Sequence, residues 1–143
     1  MSAKSEPTTP RLVPLDRLTA ISSLVAQGAV FTGHFQSPLD LGIKIDGVLE
    51  GNVMFGQGGT IHVGPAGVLQ NTRMEADYIY IEGKVSGTVV ARKALEITGT
   101  ATLLGDASYD DVIDIHPRAK LRGKLEYRGD IDGQGPTEPK RGA

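Results

Sequence analysis

The sequence predicts an all-β fold, a single-stranded β-helix of about six rungs, each about 18 residues long. Three observations carry this reading. A short motif recurs six times at near-constant spacing, an alternating apolar pair precedes five of the copies, and glycine is abundant where aromatic residues are scarce. Of 143 residues, 19 are Gly and only 5% are aromatic. That balance suits a narrow aliphatic core with turns at φ > 0 and sits poorly with a globular enzyme core built on large rings.

Each copy of the motif holds a small residue, an apolar residue two positions on, then usually a glycine and a further apolar position. The copies begin at Ala29, Gly47, Gly67, Gly83, Ala101 and Ala119, and their glycine-type positions are Gly33, Gly51, Asn71, Gly87, Gly105 and Gly123. The steps between them are 18, 20, 16, 18 and 18 residues. Asn71 is the one substitution, by the residue that after glycine best tolerates the left-handed region. Self-similarity at a fixed period is the signature of a solenoid.

The preceding pairs are Ile43/Ile45, Ile61/Val63, Ile79/Ile81, Leu95/Ile97 and Ile113/Ile115. Alternating β-branched residues read as short strands with one buried face. The link from pair to motif is either two or four residues, a variation that a corner accommodates and a strand does not. A coil closing every 18 residues divides into three sides of about six. It lays each strand on its equivalent ~4.8 Å away and fills the interior with an aliphatic column. Spacing leaves the handedness open. Ile79, Val85, Ala91, Ile97, Leu103, Tyr109, Ile115, Leu121 and Tyr127 are six apart, as in left-handed hexapeptide helices, whereas variable corners and paired apolar residues on one strand argue against that arrangement.

Three regions follow. Residues 1–28 form a flexible N-terminal segment, 29–128 the solenoid, and 129–143 a tail of glycine, proline and charge whose composition is that of disorder. There is no cysteine, so disulfides and thiolate metal sites are excluded. A net charge of −2 gives no field for nucleic acid. Met1–Pro10 lacks the apolar core of a signal peptide, and no stretch approaches the ~20 apolar residues of a membrane span. A cytoplasmic protein is expected.

The run from Gly33 through Ile43-Lys-Ile-Asp-Gly-Val-Leu-Glu-Gly-Asn-Val53, with Ile79-Tyr-Ile-Glu-Gly-Lys-Val-Ser-Gly-Thr-Val89, resembles the bactofilins. So does Leu103-Leu-Gly-Asp-Ala107 followed by Gly123-Lys-Leu125. The resemblance spans about 100 residues and departs from the pattern at Asn71-Thr-Arg73. It implies a right-handed β-helix that polymerises end to end, without nucleotide, into non-polar filaments. It also implies a bacterial scaffold at the inner face of the cytoplasmic membrane that places cell-wall-modifying enzymes and shapes cells. The partners implied are copies of the chain, envelope enzymes or membrane proteins; no cofactor is implied.

Each end of a solenoid is an open strand edge, and an open edge invites another copy. The terminal-rung candidates for a polymerisation interface are Phe31 and Phe35 at one end and Leu121, Leu125 and Tyr127 at the other. In the N-terminal segment, Leu12, Val13, Leu15, Leu18, Ile21, Leu24 and Val25 form an apolar strip. Two roles fit it: a cap folded over the first rung, or a peripheral membrane contact with Arg11 and Arg17 near anionic lipid. Lys120, Arg122, Lys124 and Arg128 alternate with core positions of the last rung and are expected to project outward, as a solvated edge or as a basic patch for a partner.

Catalysis has little to rest on. His34, His62 and His116 lack ligand spacing, and His62 and His116 are expected to point outward at comparable corners. Asp106, Asp110, Asp111 and Asp114 are expected to form a solvated acidic corner without the repeated loop that calcium needs. Gly56-Gln-Gly-Gly59 lacks the lysine of a phosphate loop. The rival reading is a left-handed hexapeptide-repeat enzyme, an acyltransferase or metal hydratase working as a trimer.

Overall fold

A computed structural model describes residues 11–37 and 41–129. The expectations for Met1–Pro10 and for the tail beyond Gly129 lie outside the described residues. In chain order the elements are α1 (Leu15–Thr19), β1 (Ser23–Val25), β2 (Val30–Ser37), β3 (Gly42–Ile45), β4 (Val48–Phe55) and β5 (Thr60–Val63). They continue with β6 (Val68–Ile81), β7 (Lys84–Ile97), β8 (Thr102–Tyr109), β9 (Val112–Ile115), β10 (Lys120–Arg122) and β11 (Leu125–Tyr127). All strand pairings are parallel, which is the pattern of a β-solenoid of six turns.

Three stretches of strand make each rung. The first face stacks β1, β3, β5, the ends of β6 and β7, and β9, with Ser23, Ile43, Ile61, Ile79, Leu95 and Ile113 in one register column. On the second face, Val30–Thr32 begins a stack that ends at β10. The third runs from His34–Ser37 to β11. The bend between second and third faces falls at Gly33, Gly51, Gly87, Gly105 and Gly123, all with φ between 128 and 141°. A Cβ on Gly105 would overlap the carbonyl oxygen of Gly87 beneath it, so the bend demands glycine for space as well as for φ.

Two details differ from the repeat as read. The slot opposite Gly87 is taken by Thr72, while Asn71 is an extra residue bulged out at φ 47°. The coil also begins at Ser23, ahead of the first motif, because β1 pairs with β3 and buries Val25 in the main core. That core is the predicted aliphatic column, Ile43, Ile61, Ile79 and Leu95 among its fully buried members.

Candidate assembly interface

The two ends of the coil and the N-terminal segment hold the features with functional content. In the middle of the coil each strand has a neighbour above and below, whereas among the described residues β1 and β2 pair only upward and β9, β10 and β11 only downward. Their outer N–H and C=O groups face outward from the ends of the stack. At the first rung Phe31 and Phe35 are half-buried, meet edge to face at 6.0 Å, and continue to Phe55 at 5.8 Å. Three of the chain's few aromatic rings therefore line this end. At the last rung Leu121, Leu125 and Tyr127 occupy the core columns yet are 37, 43 and 40% exposed, with the Tyr127 ring tilted against that of Tyr109 at 5.3 Å. All five predicted interface residues thus lie on the two terminal cross-sections.

The N-terminal apolar strip goes elsewhere. It is not a lid on the first rung; it runs as a strap along the outside of the first face, crossing the strands from the sixth rung back toward the first. Arg11 makes a two-pronged ion pair with Asp114 at 2.8 and 2.7 Å. The backbone N–H groups of Arg11, Leu12 and Val13 donate to the Glu96 carboxylate at 2.7, 2.9 and 2.9 Å. Val13 and Leu18 are buried against Tyr80 and Ala94, with Leu12 packed alongside. Arg17 lies 5.2 Å from the centre of the Tyr78 ring and donates to the Gly58 carbonyl. Ser22 bonds Gly42 before the chain enters β1. Of the seven apolar residues, Val13, Leu18 and Val25 are buried, Leu12 and Ile21 are partly covered, and only Leu15 and Leu24 are well exposed, at 65 and 59%.

This strap explains two outward positions that would otherwise be anomalous. Tyr80 and Glu96 point away from the aliphatic column and are nonetheless buried, because the strap covers them. Burial and the nearby carboxylates of Glu82 and Glu96 push the Tyr80 phenol above its ordinary value. A buried carboxylate is costly unless it is hydrogen-bonded. Glu96 accepts the three N–H groups and also contacts His116 Nε2 at 2.6 Å. Glu96, Asp114 and His116 place ligating atoms within 4.8 Å of one another, with Glu96 and Asp114 accepting from the strap and His116 held against Glu96.

His62 and His116 lie outside the aliphatic column yet are largely covered, each held by a buried glutamate, His62 by Glu82 at 2.7 Å. His34 meets Asn52 at 3.1 Å. In the acidic corner, Asp110 and Asp114 are pinned by Arg128 and Arg11, and those hydrogen bonds hold both carboxyls below the usual carboxylate range. The basic four of the last rung do not form one stripe. Lys120 and Arg122 lie on the second face, Gly123 turns the chain, Lys124 follows on the third face, and Arg128 is paired with Asp110 at 2.8 Å. No helix among the described residues is long and apolar enough to cross a membrane.

Comparison with known proteins agrees with this architecture. The family model for bactofilin, described as polymer-forming cytoskeletal, matches residues 23–126, beginning at the first residue of β1. The chain is also similar to Bactofilin BacO of Myxococcus xanthus (strain DK1622), 23% identical over 128 residues, covering 88% of this chain and 92% of that protein. No solved structure matches.

Proposed function

Because this chain belongs to the bactofilin family, a polymer-forming cytoskeletal family, we propose that it is a non-catalytic scaffold. It assembles end to end without nucleotide at the inner face of the cytoplasmic membrane and positions cell-envelope enzymes that shape the cell. The observation that carries this reading is the state of the two ends. Among the described residues no further strand lies outside either terminal rung, and both ends show half-covered core columns, Phe31 and Phe35 at one and Leu121, Leu125 and Tyr127 at the other.

The energetics support it. About a dozen backbone bonds across a joint, at ~0.5–1.5 kcal/mol each, give on the order of 10 kcal/mol. Association costs about 4–15 kcal/mol. Burial of the terminal side chains then tips the balance, so assembly needs no fuel. Membrane contact from the described segment would pass through Leu15 and Leu24, its two well-exposed apolar residues.

Electron microscopy and sedimentation of the nucleotide-free protein test the scaffold. Filaments are expected, and Leu125→Arg is expected to abolish them while leaving the β-type circular dichroism intact. A Leu125→Arg protein that still sediments as polymer removes the C-terminal end as a joint. Flotation with anionic liposomes tests the membrane arm: Leu15→Glu with Leu24→Glu should release the protein, and unchanged flotation refutes that contact.

A further inference from the structure

The three faces of the coil differ in what they leave open. The first is closed by the strap. On the third, charges alternate in sign and many are paired within the chain: Arg73 with Glu75, Arg92 with Glu75 and Asp77, and, at its edge, Arg128 with Asp110. The second face is different. Its outward positions in rungs four to six are Lys84, Ser86, Thr102, Leu104, Lys120 and Arg122, three cations and no acid. Among the described residues no ion pair is made by Lys84, Lys120 or Arg122. Glu50, the acidic residue of this face, lies in rung two and accepts from Asn71 at 3.1 Å.

Leu104 sits among these cations with 46% of its surface exposed. Two shallow grooves of about 300 and 440 Å³ meet at Thr102 and Leu104, the first lined by Val68 and Lys84, the second by Lys120 and Arg122. Leu104 is thus an exposed apolar residue shared by two grooves, among cations that make no ion pair within the described residues.

We propose that this second-face groove docks an acidic peptide segment of another protein, with carboxylates flanking an apolar side chain that rests on Leu104. The spacing selects the kind of segment. Lys84 and Lys120 belong to one register column and are separated by Thr102, so their backbones are two rungs, about 10 Å, apart. A polyproline-II peptide lying along the coil axis rises about 3.1 Å per residue and returns to the same face every third residue. Carboxylates three residues apart therefore match the two lysines, while Arg122 and Leu104, one column over, take a further acid and the apolar residue between. Lys84 and Leu104 lie along the side of the coil, inside the last rung, so a filament carries that part of the surface at every repeat.

The test uses the full-length protein and a fluorescent synthetic peptide, Pro-Glu-Leu-Pro-Glu-Leu-Pro, with its Glu-to-Gln analogue as control. Fluorescence anisotropy should show saturable binding to the acidic peptide, weakening several-fold between 50 and 200 mM salt, with at least tenfold weaker binding of the analogue. Lys84→Glu and Leu104→Ser, both away from the terminal edge, should each weaken binding at least tenfold. Both should leave circular dichroism and sedimentable polymer unchanged, which separates this result from the fate of the scaffold reading. Equal binding of the Gln analogue, or unchanged affinity in both variants, overturns the proposal. So does binding of phosphatidylserine vesicles that is lost in the same variants while the peptide fails to bind, which would assign the face to a membrane.

Discussion

Leu103 and Leu121 occupy the same column of the same repeat, one rung apart, yet Leu103 is 1% exposed and Leu121 is 37%. The same holds for Ile97 in rung five against Ile115 in rung six, and for Ala107 against Leu125. In the first two pairs the residue type is the same, leucine or isoleucine, and in the third an alanine lies beneath a leucine. The difference lies wholly in whether a further rung sits above. The residues exposed at the last rung are therefore core residues of the repeat that no further rung of the described chain covers.

The sharpest way to break this comparison is to truncate both leucines. Leu103→Ala should cost about 3 kcal/mol, the range for a buried leucine with an incompletely collapsed cavity, and lower Tm by roughly 10 °C. Leu121→Ala should cost under about 1 kcal/mol in dilute solution. In assembly the order reverses at the joint: Leu121→Ala should raise the critical concentration about tenfold, equivalent to ~1.4 kcal/mol. Thermal melts at low concentration, paired with sedimentation across a concentration series, read both quantities. Equal Tm losses would mean that the last rung is covered in the monomer.

Much of the coil was legible from the chain because its information is periodic. Six glycine-type positions and five Ile/Val/Leu pairs each repeat a local requirement, a bend or a half-buried strand, and stacking follows from repetition. The Asn71–Thr72 bulge was harder to see, since both residues lie within a motif and only the register with Gly87 shows which of them takes the slot. The strap was not legible at all. Val13 and Leu18 meet Tyr80 and Ala94, and Arg11 meets Asp114 about a hundred positions away, contacts that no period encodes. One signal was available: Tyr80 and Glu96 occupy outward positions, and a bulky ring beside a carboxylate there invites a covering segment. The basic residues 120–128 are exposed, as their alternation implies, and the bend at Gly123 divides them between two faces.

The strap supplies a second contrast, between a face closed by its own chain and ends left open. Glu96→Gln keeps the shape of the acceptor but replaces one oxygen by a donor that faces N–H groups. With hydrogen bonds to a charged group worth about 1.5–3 kcal/mol each, partial loss should loosen residues 11–18 at a cost of about 2 kcal/mol. Trypsin cleavage after Arg11 and Arg17 should accelerate at least tenfold while the coil stays folded and filaments still form. Filaments lost along with the strap would show that the ends depend on the covered face, which would undo the separation drawn between them.

Acid is the gentlest probe of the same contrast. The folded-state pKa of Asp114 is held below its ordinary value by the hydrogen bond from Arg11, and that of Asp110 by the one from Arg128. A carboxyl with a depressed folded pKa contributes stability above its unfolded value, near 3.9, that is lost as pH falls through the folded value. Both groups remain in contact with solvent, so the screened effect is small, about 1–2 °C in Tm. Between pH 5 and 3 the strap should become more protease-sensitive before the coil melts, because Asp114 fastens the strap whereas the aliphatic column titrates not at all. Asp114→Asn should remove the acid-dependent part of strap release and Asp110→Asn should not. If both variants behave alike, the two ion pairs belong to one cooperative unit, and the strap is as integral to the fold as the last rung.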